Sequence, residues 1–269
     1  MCIRDRGKTV SEIRLALEGG IRQFNVESEP EMEVLDAVAR SMDKVAPITI
    51  RVNPDVDAKT HAKIATGKSE NKFGIPIARA REVYRMAAAM PGLEVVGIDV
   101  HIGSQLTKLA PFEDALERVL KLLAQLQEHG IEIHHLDLGG GLGVTYDDET
   151  PPDRSAYVQA LLKHIPGELP VHIEPGRSIA ANAGLFITQV LFLKPTEHKN
   201  FAIVDGAMND LIRPSLYSAW QNIIPVKPHD ADCRNWDIVG PVCETGDFLG
   251  KDRALSLDCL LYTSDAADE

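Results

Sequence analysis

Residues 94–104 read Glu-Val-Val-Gly-Ile-Asp-Val-His-Ile-Gly-Ser, a run of mostly apolar residues that ends in histidine, glycine and serine. Its segment Val95-Val96-Gly97-Ile98 is nearly all apolar, which is typical of a strand buried on both faces of a parallel sheet. A helical pattern at residues 77–89 precedes this strand, and Pro91-Gly92 separates the two. A helix that leads into a buried strand indicates the α/β fold class.

The same alternation of strand and helix patterns continues on both sides of this segment. Strands are predicted at residues 23–26, 48–52, 94–101, 131–138 and 171–174. Helices are predicted at residues 10–18, 30–42, 77–89, 111–129 and 155–163. Since a closed barrel of this type needs eight strands, five strands indicate an open sheet or a barrel whose first three strands lie upstream. We expect a partial (β/α)8 TIM-type barrel, made of its last five βα units.

The pattern changes after residue 184. Strands are predicted at residues 185–192, 201–204 and 236–239 with no long helix between them, which indicates part of a C-terminal β-rich domain. We therefore expect a barrel domain at residues 7–184 and a β domain at residues 185–255. Residues 1–6 and 256–269 fit neither pattern and are expected to be non-native tails. The polar stretch 55–72 is long enough that we expect it to be functional or ordered by partners.

Composition excludes several classes of function. The 269 residues carry a formal net charge of −12, and nucleic acid or an anionic membrane would need a positive face, so neither is an expected partner. No apolar run approaches the roughly 18–20 residues that span a bilayer. The four cysteines are scattered, which indicates free thiols in a reducing cytoplasm and gives no expectation of a structural metal.

Unusual residues stand where three predicted strands end. They are His101 with Gly103 and Ser104, the triple glycine Gly139, Gly140 and Gly141, and the sequence Glu174-Pro175-Gly176-Arg177. In βα barrels the active site lies at this end of the strands, and glycines let backbone N–H groups turn toward an anion. The triple glycine alone could be a tight turn, and it matches neither a Walker loop nor a dinucleotide fingerprint. Together with Gly176 and Arg177 it predicts a phosphate site, with His101 lying against a ring and Glu174 at that ring's edge.

Two further motifs follow in the second domain. Arg213 and Tyr217 lie close together in a predicted loop, which is either a solvated turn or a clamp for a carboxylate. Cys243 and Glu244 follow a turn after a strand. A free cysteine is most often a small buried hydrophobe, but one placed among acids in a loop is a candidate for proton transfer.

These motifs occur in an order that resembles a known family. They are residues 24–28 (FNVES), 51–54 (RVNP), 72–75 (KFGI), 101–105 (HIGSQ), 139–141 (GGG), 174–177 (EPGR), Arg213-Pro214 with Tyr217, and 243–247 (CETGD). The chain resembles the pyridoxal-phosphate-dependent basic amino-acid decarboxylases of the alanine-racemase-like fold class. Within that class the last two motifs favour the diaminopimelate decarboxylase family.

The resemblance implies a role for each motif. His101 would stack on pyridoxal 5'-phosphate, and Glu174 would pair with its ring nitrogen. The phosphate would be held by Ser104, by the N–H groups of Gly139, Gly140 and Gly141, and by the turn at Gly176 and Arg177.

The resemblance also implies the substrate, meso-diaminopimelate, which is converted to L-lysine and carbon dioxide. Arg177, Arg213 and Tyr217 would bind its distal carboxylate, and Glu244 its distal amino group. Cys243 would deliver the proton that replaces carbon dioxide. Because that loop reaches the neighbouring active site in this family, the resemblance implies a homodimer with active sites at the subunit interface.

One element of the family pattern is missing from this sequence. The family's Schiff-base lysine lies on the first barrel strand, and neither Lys8 nor Lys72 stands in such a segment. We therefore expect an incomplete copy that is inactive by itself. The alternatives are a related decarboxylase acting on ornithine, arginine or carboxynorspermidine, a non-catalytic regulatory homologue, and an aldolase-type barrel that binds an unrelated sugar phosphate.

Overall fold

The structure is a computed structural model that describes residues 7–56, 72–227, 230 and 232–257, and the backbone of residues 2 and 3. Most of the polar stretch 55–72 and of the two expected tails lies outside the described residues. The chain divides into two compact units. The first unit comprises residues 1–144 and 150–182, and the second comprises residues 145–149 and 183–269. The expected domains, 7–184 and 185–255, stay a prediction, and the assignment of residues 145–149 to the second unit was not foreseen.

The first unit is built from parallel strands and the helices that connect them. Its strands are β1 Cys2–Ile3, β2 Gln23–Val26, β3 Ala46–Asn53, β4 Ile75–Pro76, β5 Leu93–Val100, β6 His135–Asp137 and β7 Val171–His172. Its helices are α1 Val10–Glu18, α2 Glu29–Ser41, α3 Ile77–Ala88, α4 Ala110–Glu128, α5 Arg154–Leu162 and α6 Arg177–Ala180.

The strands pair in the order β1-β2-β3-β5-β6-β7, every pair parallel, and β4 pairs with β3. Apart from the two-residue strand β4, neighbours in the sheet are also neighbours along the chain, and helices connect them, as in a βα barrel. The predicted α/β fold class is confirmed. That the sheet is part of an eight-stranded barrel stays a prediction.

Local sequence explains where the helices begin. Thr9 caps α1: its hydroxyl accepts a 3.3 Å hydrogen bond from the N–H of Glu12, whose carboxylate accepts the N–H of Thr9 at 2.8 Å. This reciprocal pair is the capping box that Thr-x-x-Glu predicts. Asp153 caps α5 through hydrogen bonds from the N–H groups of Ser155 and Ala156.

The core of the first unit lies between the sheet and its helices. Alternate strand residues such as Phe24, Ile50 and Ile98 are fully buried there against helix residues. The strands are buried on both faces, as predicted, but the second face is polar: Asn25 and Asp99 are each 0% exposed. Burying polar groups on this scale is costly unless they are paired, so this face is where a functional site is expected.

The second unit contains a four-stranded sheet. Its strands are β8 Val190–Pro195, β9 Asn200–Val204, β10 Cys233–Val239 and β11 Phe248–Ser256, and its short helix is α7 Arg213–Tyr217. The order is β11-β10-β9-β8, with β9 and β10 parallel and the other two pairs antiparallel. A small core containing Val204, Trp236 and Leu249 holds this sheet together.

Two sequence predictions about the second unit are corrected. The strand expected at 185–192 begins only at Val190, and Leu185 is 90% exposed. The last strand, β11, was not predicted, because Gly250 and the charged residues 251–253 interrupt the alternation that marks a strand. In the described part of the chain, no helix combines the length and apolarity that crossing a bilayer requires.

Candidate active site

The loops that follow β5 and β6 meet through a hydrogen bond from a main-chain N–H to a side chain. His101 directly follows β5, and the N–H of Gly140 donates to its Nδ1 at 3.2 Å. A ring nitrogen that accepts a hydrogen bond carries no proton, so the proton of the neutral ring is on Nε2. The glycine loop therefore fixes both the orientation and the tautomer of His101.

The triple glycine has no room for side chains. A Cβ on Gly139 would lie 2.5 Å from the carbonyl oxygen of Val100, and a Cβ on Gly141 would lie 2.5 Å from that of Gly103. A Cβ on Gly140 would collide with the carbonyl oxygen of Glu174. Gly139 and Gly141 also adopt φ angles of +63° and +115°, which favour glycine. The glycines are thus packed against the main chain around the ends of β5 and β7. A tight turn alone would not require glycine for such packing.

Glu174 brings a third strand end to the same place. Its N–H donates to the carbonyl oxygen of Gly139 at 2.7 Å. Carboxylate oxygens of Glu174, Asp99 and Asp137 lie within 4.8 Å of one another, and the last two side chains are buried. Three carboxylates this close favour a positively charged neighbour. A protonated ring nitrogen or a metal cation would meet that need.

Hydrogen-bond donors form the other part of the site. The guanidinium Nε of Arg177 donates to Oγ of Ser104 at 3.0 Å, which joins the loops after β7 and β5. Gly176 precedes the short helix α6, which begins at Arg177. The first unit therefore brings together His101, the three glycines and Glu174, and separately pairs Ser104 with Arg177. With a flat ring, an acid cluster and a cationic donor set, these loops suit a phosphorylated aromatic ring.

A buried ion pair lies among residues for which the sequence predicted no role. Nη1 of Arg51 lies 2.7 Å from Oε1 of Glu27, and both side chains are at most 6% exposed. The other carboxylate oxygen of Glu27 accepts the N–H of Gly74 at 2.8 Å, and Nη2 of Arg51 donates to the carbonyl oxygen of His101 at 3.4 Å. Polar residues at every second position of β2 and β3 were the signal that could have found this pair.

Lys8 and Lys72, neither of which stands in the family's lysine segment, each contact another side chain. Nζ of Lys8 lies 2.5 Å from a carboxylate oxygen of Glu31 and donates to the carbonyl oxygen of Asn25 at 2.7 Å. Lys72 lies over the ring of Phe73, 5.9 Å from its centroid. A charged, ion-paired lysine such as Lys8 is a poor nucleophile.

In the second unit, Arg213 and Tyr217 lie together on α7. The central carbon of the Arg213 guanidinium is 5.2 Å from the centroid of the Tyr217 ring. It is also 5.7 Å from the ring of Tyr146, in the segment 145–149 that belongs to this unit. The predicted proximity of a guanidinium and a phenol is therefore present, with a second phenol that was not foreseen.

The loop that carries Cys243 and Glu244 is held in place by its neighbour Asp247. The buried carboxylate of Asp247 accepts the N–H groups of Met208 and Val242, each at 2.7 Å, whereas Cys243 and Glu244 are exposed. Oγ of Ser215, on α7, donates to the carbonyl oxygen of Gly246 at 2.5 Å. The second unit therefore ties the Arg213–Tyr217 helix directly to the Cys243 loop.

Comparison with protein families agrees with this geometry. A family model described as the pyridoxal binding domain of pyridoxal-dependent decarboxylases matches residues 2–181. The chain is 59% identical to the diaminopimelate decarboxylase of Vibrio cholerae over 253 residues, which are 93% of this chain and 61% of that protein. It is 58% identical to the diaminopimelate decarboxylase of Pseudomonas aeruginosa, with the same shares covered. The chain thus spans about three fifths of the length of the curated relatives it matches.

Solved structures give the same result. The diaminopimelate decarboxylase of Helicobacter pylori complexed with L-lysine superimposes with a TM-score of 0.90 at 41% identity, over 96% of this chain and 64% of that one. The diaminopimelate decarboxylase of M. jannaschii in co-complex with L-lysine superimposes with a TM-score of 0.86 at 36% identity, over 96% and 61% of the two chains. The resemblance inferred from the motifs is confirmed at the level of the family.

Proposed function

Because the chain belongs to the family of pyridoxal-dependent decarboxylases, we propose that the whole protein removes carbon dioxide from meso-diaminopimelate and releases L-lysine. What supports this substrate is the identity of 59% and 58% to two proteins named diaminopimelate decarboxylase. The L-lysine complexes of structural relatives support the product.

The residues present fit pyridoxal phosphate as the cofactor. The donor set of Ser104 and Arg177, joined at 3.0 Å, suits a phosphate, and so does the main chain of glycines that have no room for a Cβ. The acid cluster around Glu174 suits a protonated ring nitrogen. When bound, this cofactor supplies an electron sink for the electron pair that remains after the carboxylate leaves.

The chain's own residues would prepare that site. The carboxylate of Glu174 would hold the proton on the ring nitrogen, with Asp99 and Asp137 adding negative charge beside it. The His101 ring would lie against the face of the cofactor ring, in the orientation that the Gly140 hydrogen bond fixes.

Recognition of the far end of the substrate would fall to the second unit. Arg213 and Tyr217 would bind its carboxylate, and Glu244 would bind its amino group. A substrate without that carboxylate, such as ornithine, would leave a partly buried arginine unpaired, which is costly, so the site would reject it.

Cys243 would supply the proton that replaces carbon dioxide, from its Sγ to the carbon that has lost the carboxylate. The thiol is exposed in this chain, and Glu244 beside it is exposed as well. Exposed catalytic groups support a homodimer in which each copy contributes this loop to the active site of the other.

The free thiols of Cys233 and Cys243 support a reducing, cytoplasmic location.

One observation carries the proposal: the three glycines are packed without space for a Cβ between the loops of His101 and Glu174. The test is carbon dioxide release by the purified full-length protein with pyridoxal phosphate, on meso-diaminopimelate, ornithine, arginine and carboxynorspermidine. We expect release from diaminopimelate at least about 100-fold faster, in kcat/KM, than from the others. A preference for another substrate would favour a related decarboxylase, and no release from any would favour a regulatory homologue.

A further inference from the structure

Arg213 lies over two tyrosine rings, and among the described residues no acid forms an ion pair with it. Its guanidinium is 5.7 Å from the ring centroid of Tyr146 and 5.2 Å from that of Tyr217. Among the described residues, its Nε is buried without a hydrogen-bond partner, and no ion pair involves it. Both distances are within the ~6 Å over which an aromatic ring attracts a cation.

Tyr146 is held in place by its own short turn. The carboxylate oxygen Oε2 of Glu149 accepts the N–H groups of Tyr146 and Asp147, each at 2.8 Å. The hydroxyl of Thr145 donates to the carbonyl oxygen of Glu149 at 2.8 Å. The turn therefore presents a half-buried ring to Arg213 from a segment that is far from α7 in sequence.

Aromatic rings position a guanidinium without neutralising its charge. A carboxylate partner would neutralise Arg213 and occupy its N–H groups, whereas a ring attracts the cation through its face. The N–H groups at the edge of the guanidinium then stay available for two parallel hydrogen bonds to a carboxylate. Two rings also restrict the rotamers of a long side chain, which lowers the entropy cost of binding.

We propose that Tyr146 is a positioning and specificity residue, whose ring, together with that of Tyr217, holds the Arg213 guanidinium in the orientation that takes the far carboxylate of the substrate. This inference rests on the proposed function and adds to it a residue that determines selectivity. Tyr146 acts through Arg213 and takes no part in proton transfer.

The experiment compares two ligands of the full-length protein loaded with its cofactor. L-lysine keeps the carboxylate of the far end of diaminopimelate, whereas cadaverine is the same diamine without it. We expect Tyr146→Leu to weaken L-lysine binding by about tenfold and to change cadaverine binding less than about twofold. A tenfold loss corresponds to about 1.4 kcal/mol, which is within the range of a partly desolvated cation–π contact. Tyr146→Gln tests the same loss with a polar side chain, and Tyr146→Phe keeps the ring and the affinity.

The second unit offers a matched control. Arg253 lies over the ring of Trp220 at 4.5 Å, so Trp220→Leu removes another arginine–aromatic contact of the same unit. We expect it to leave both affinities within about twofold of the unsubstituted protein. Equal weakening of both ligands in the Tyr146 variants, or no weakening, would overturn the inference. Failure of the unsubstituted protein to bind L-lysine would overturn the proposed function itself, and the inference with it.

Discussion

The N–H of Gly140 donates a 3.2 Å hydrogen bond to Nδ1 of His101, and this bond joins the loop after β6 to the loop after β5. The carbonyl oxygen of Gly139 accepts the N–H of Glu174 at 2.7 Å, which adds the loop after β7. The main chain of the glycine loop therefore holds the ring of His101 and the backbone of Glu174 at one edge of the sheet. The geometry of the site depends on glycine rather than on side-chain packing.

Replacing the central glycine is expected to open this arrangement. In Gly140→Ala the new Cβ collides with the carbonyl oxygen of Glu174, so the loop has to shift. We expect the dissociation constant for pyridoxal phosphate to rise at least about tenfold in a fluorescence titration, because a shifted loop loses at least one phosphate contact. Gly184→Ala is the control, since a Cβ there meets no atom within 4 Å. Equal affinities of the two variants would contradict the role of the glycine loop.

The buried ion pair of Glu27 and Arg51 is expected to be essential for stability. Glu27→Gln leaves the guanidinium of Arg51, which is 5% exposed, without a charged partner. Breaking a buried pair by removing one partner costs about 3–5 kcal/mol of the free energy of unfolding. Denaturant titration measures this loss.

The control for this pair is an exposed one. Lys121 and Glu117 form an ion pair on the surface of α4, and Glu117→Gln should leave the unfolding midpoint unchanged. If Glu27→Gln were no more destabilising than this control, the buried pair would not stabilise the sheet.

The anchor of the Cys243 loop is expected to affect both stability and turnover. Asp247→Asn keeps one acceptor but turns an amide N–H toward the N–H of Met208 or Val242, so one buried donor loses its partner. We expect a loss of about 1–3 kcal/mol in the free energy of unfolding and a lower kcat. Asp252→Asn is the control, because its side chain is 69% exposed. A normal kcat in Asp247→Asn would show that the loop does not need this anchor.

His135 is expected to make stability fall with acid. Burial lowers the pKa of His135 from 6.5 to about 4, helped by the nearby charges of His172, Arg22 and His134. Between pH 6.5 and about 4 the unfolded chain therefore binds a proton that the folded chain does not, and the free energy of unfolding falls by up to about 1.4 kcal/mol per pH unit. Above pH 6.5 this contribution is fully present.

The measurement is the free energy of unfolding at pH 7 and pH 4.5, for the unsubstituted protein, His135→Gln and the exposed control His198→Gln. The acid-induced loss should be smaller in His135→Gln than in the other two. An identical loss in all three proteins would disprove the assignment.

Five strands of the first unit could be predicted because each leaves a local pattern, whereas the two-residue strands β1 and β4 were not predicted. The predicted strands at 23–26 and 94–101 correspond to β2 and β5 within one residue. The strand predicted at 131–138 is shorter, since β6 covers only His135–Asp137. Strand β11 could not be predicted, because Gly250 and the charged residues 251–253 interrupt the alternation of apolar and polar residues that marks a strand.

Some residues of the candidate site could likewise be predicted from the sequence, whereas some of its contacts could not. Glycines and charged residues after strands are visible in the sequence, so His101, Glu174 and Arg177 could be proposed from it. The alternation of polar residues along β2 and β3 marks the polar face that holds Glu27 and Arg51, but which two of these residues form an ion pair depends on how β2 pairs with β3. The contact of Tyr146 with Arg213 likewise depends on a segment that packs with the second unit.

The strand-end loops of the first unit are expected to gather around one phosphorylated ring. A crystal structure of the full-length protein with pyridoxal phosphate is the decisive test. We expect the phosphate to contact Ser104, Arg177 and the N–H of Gly141, since the N–H groups of Gly139 and Gly140 donate to Asp137 and His101. We expect the ring nitrogen at the carboxylate of Glu174. A cofactor bound away from the glycine loop, or none at saturating concentration, would show that these loops do not form the cofactor site.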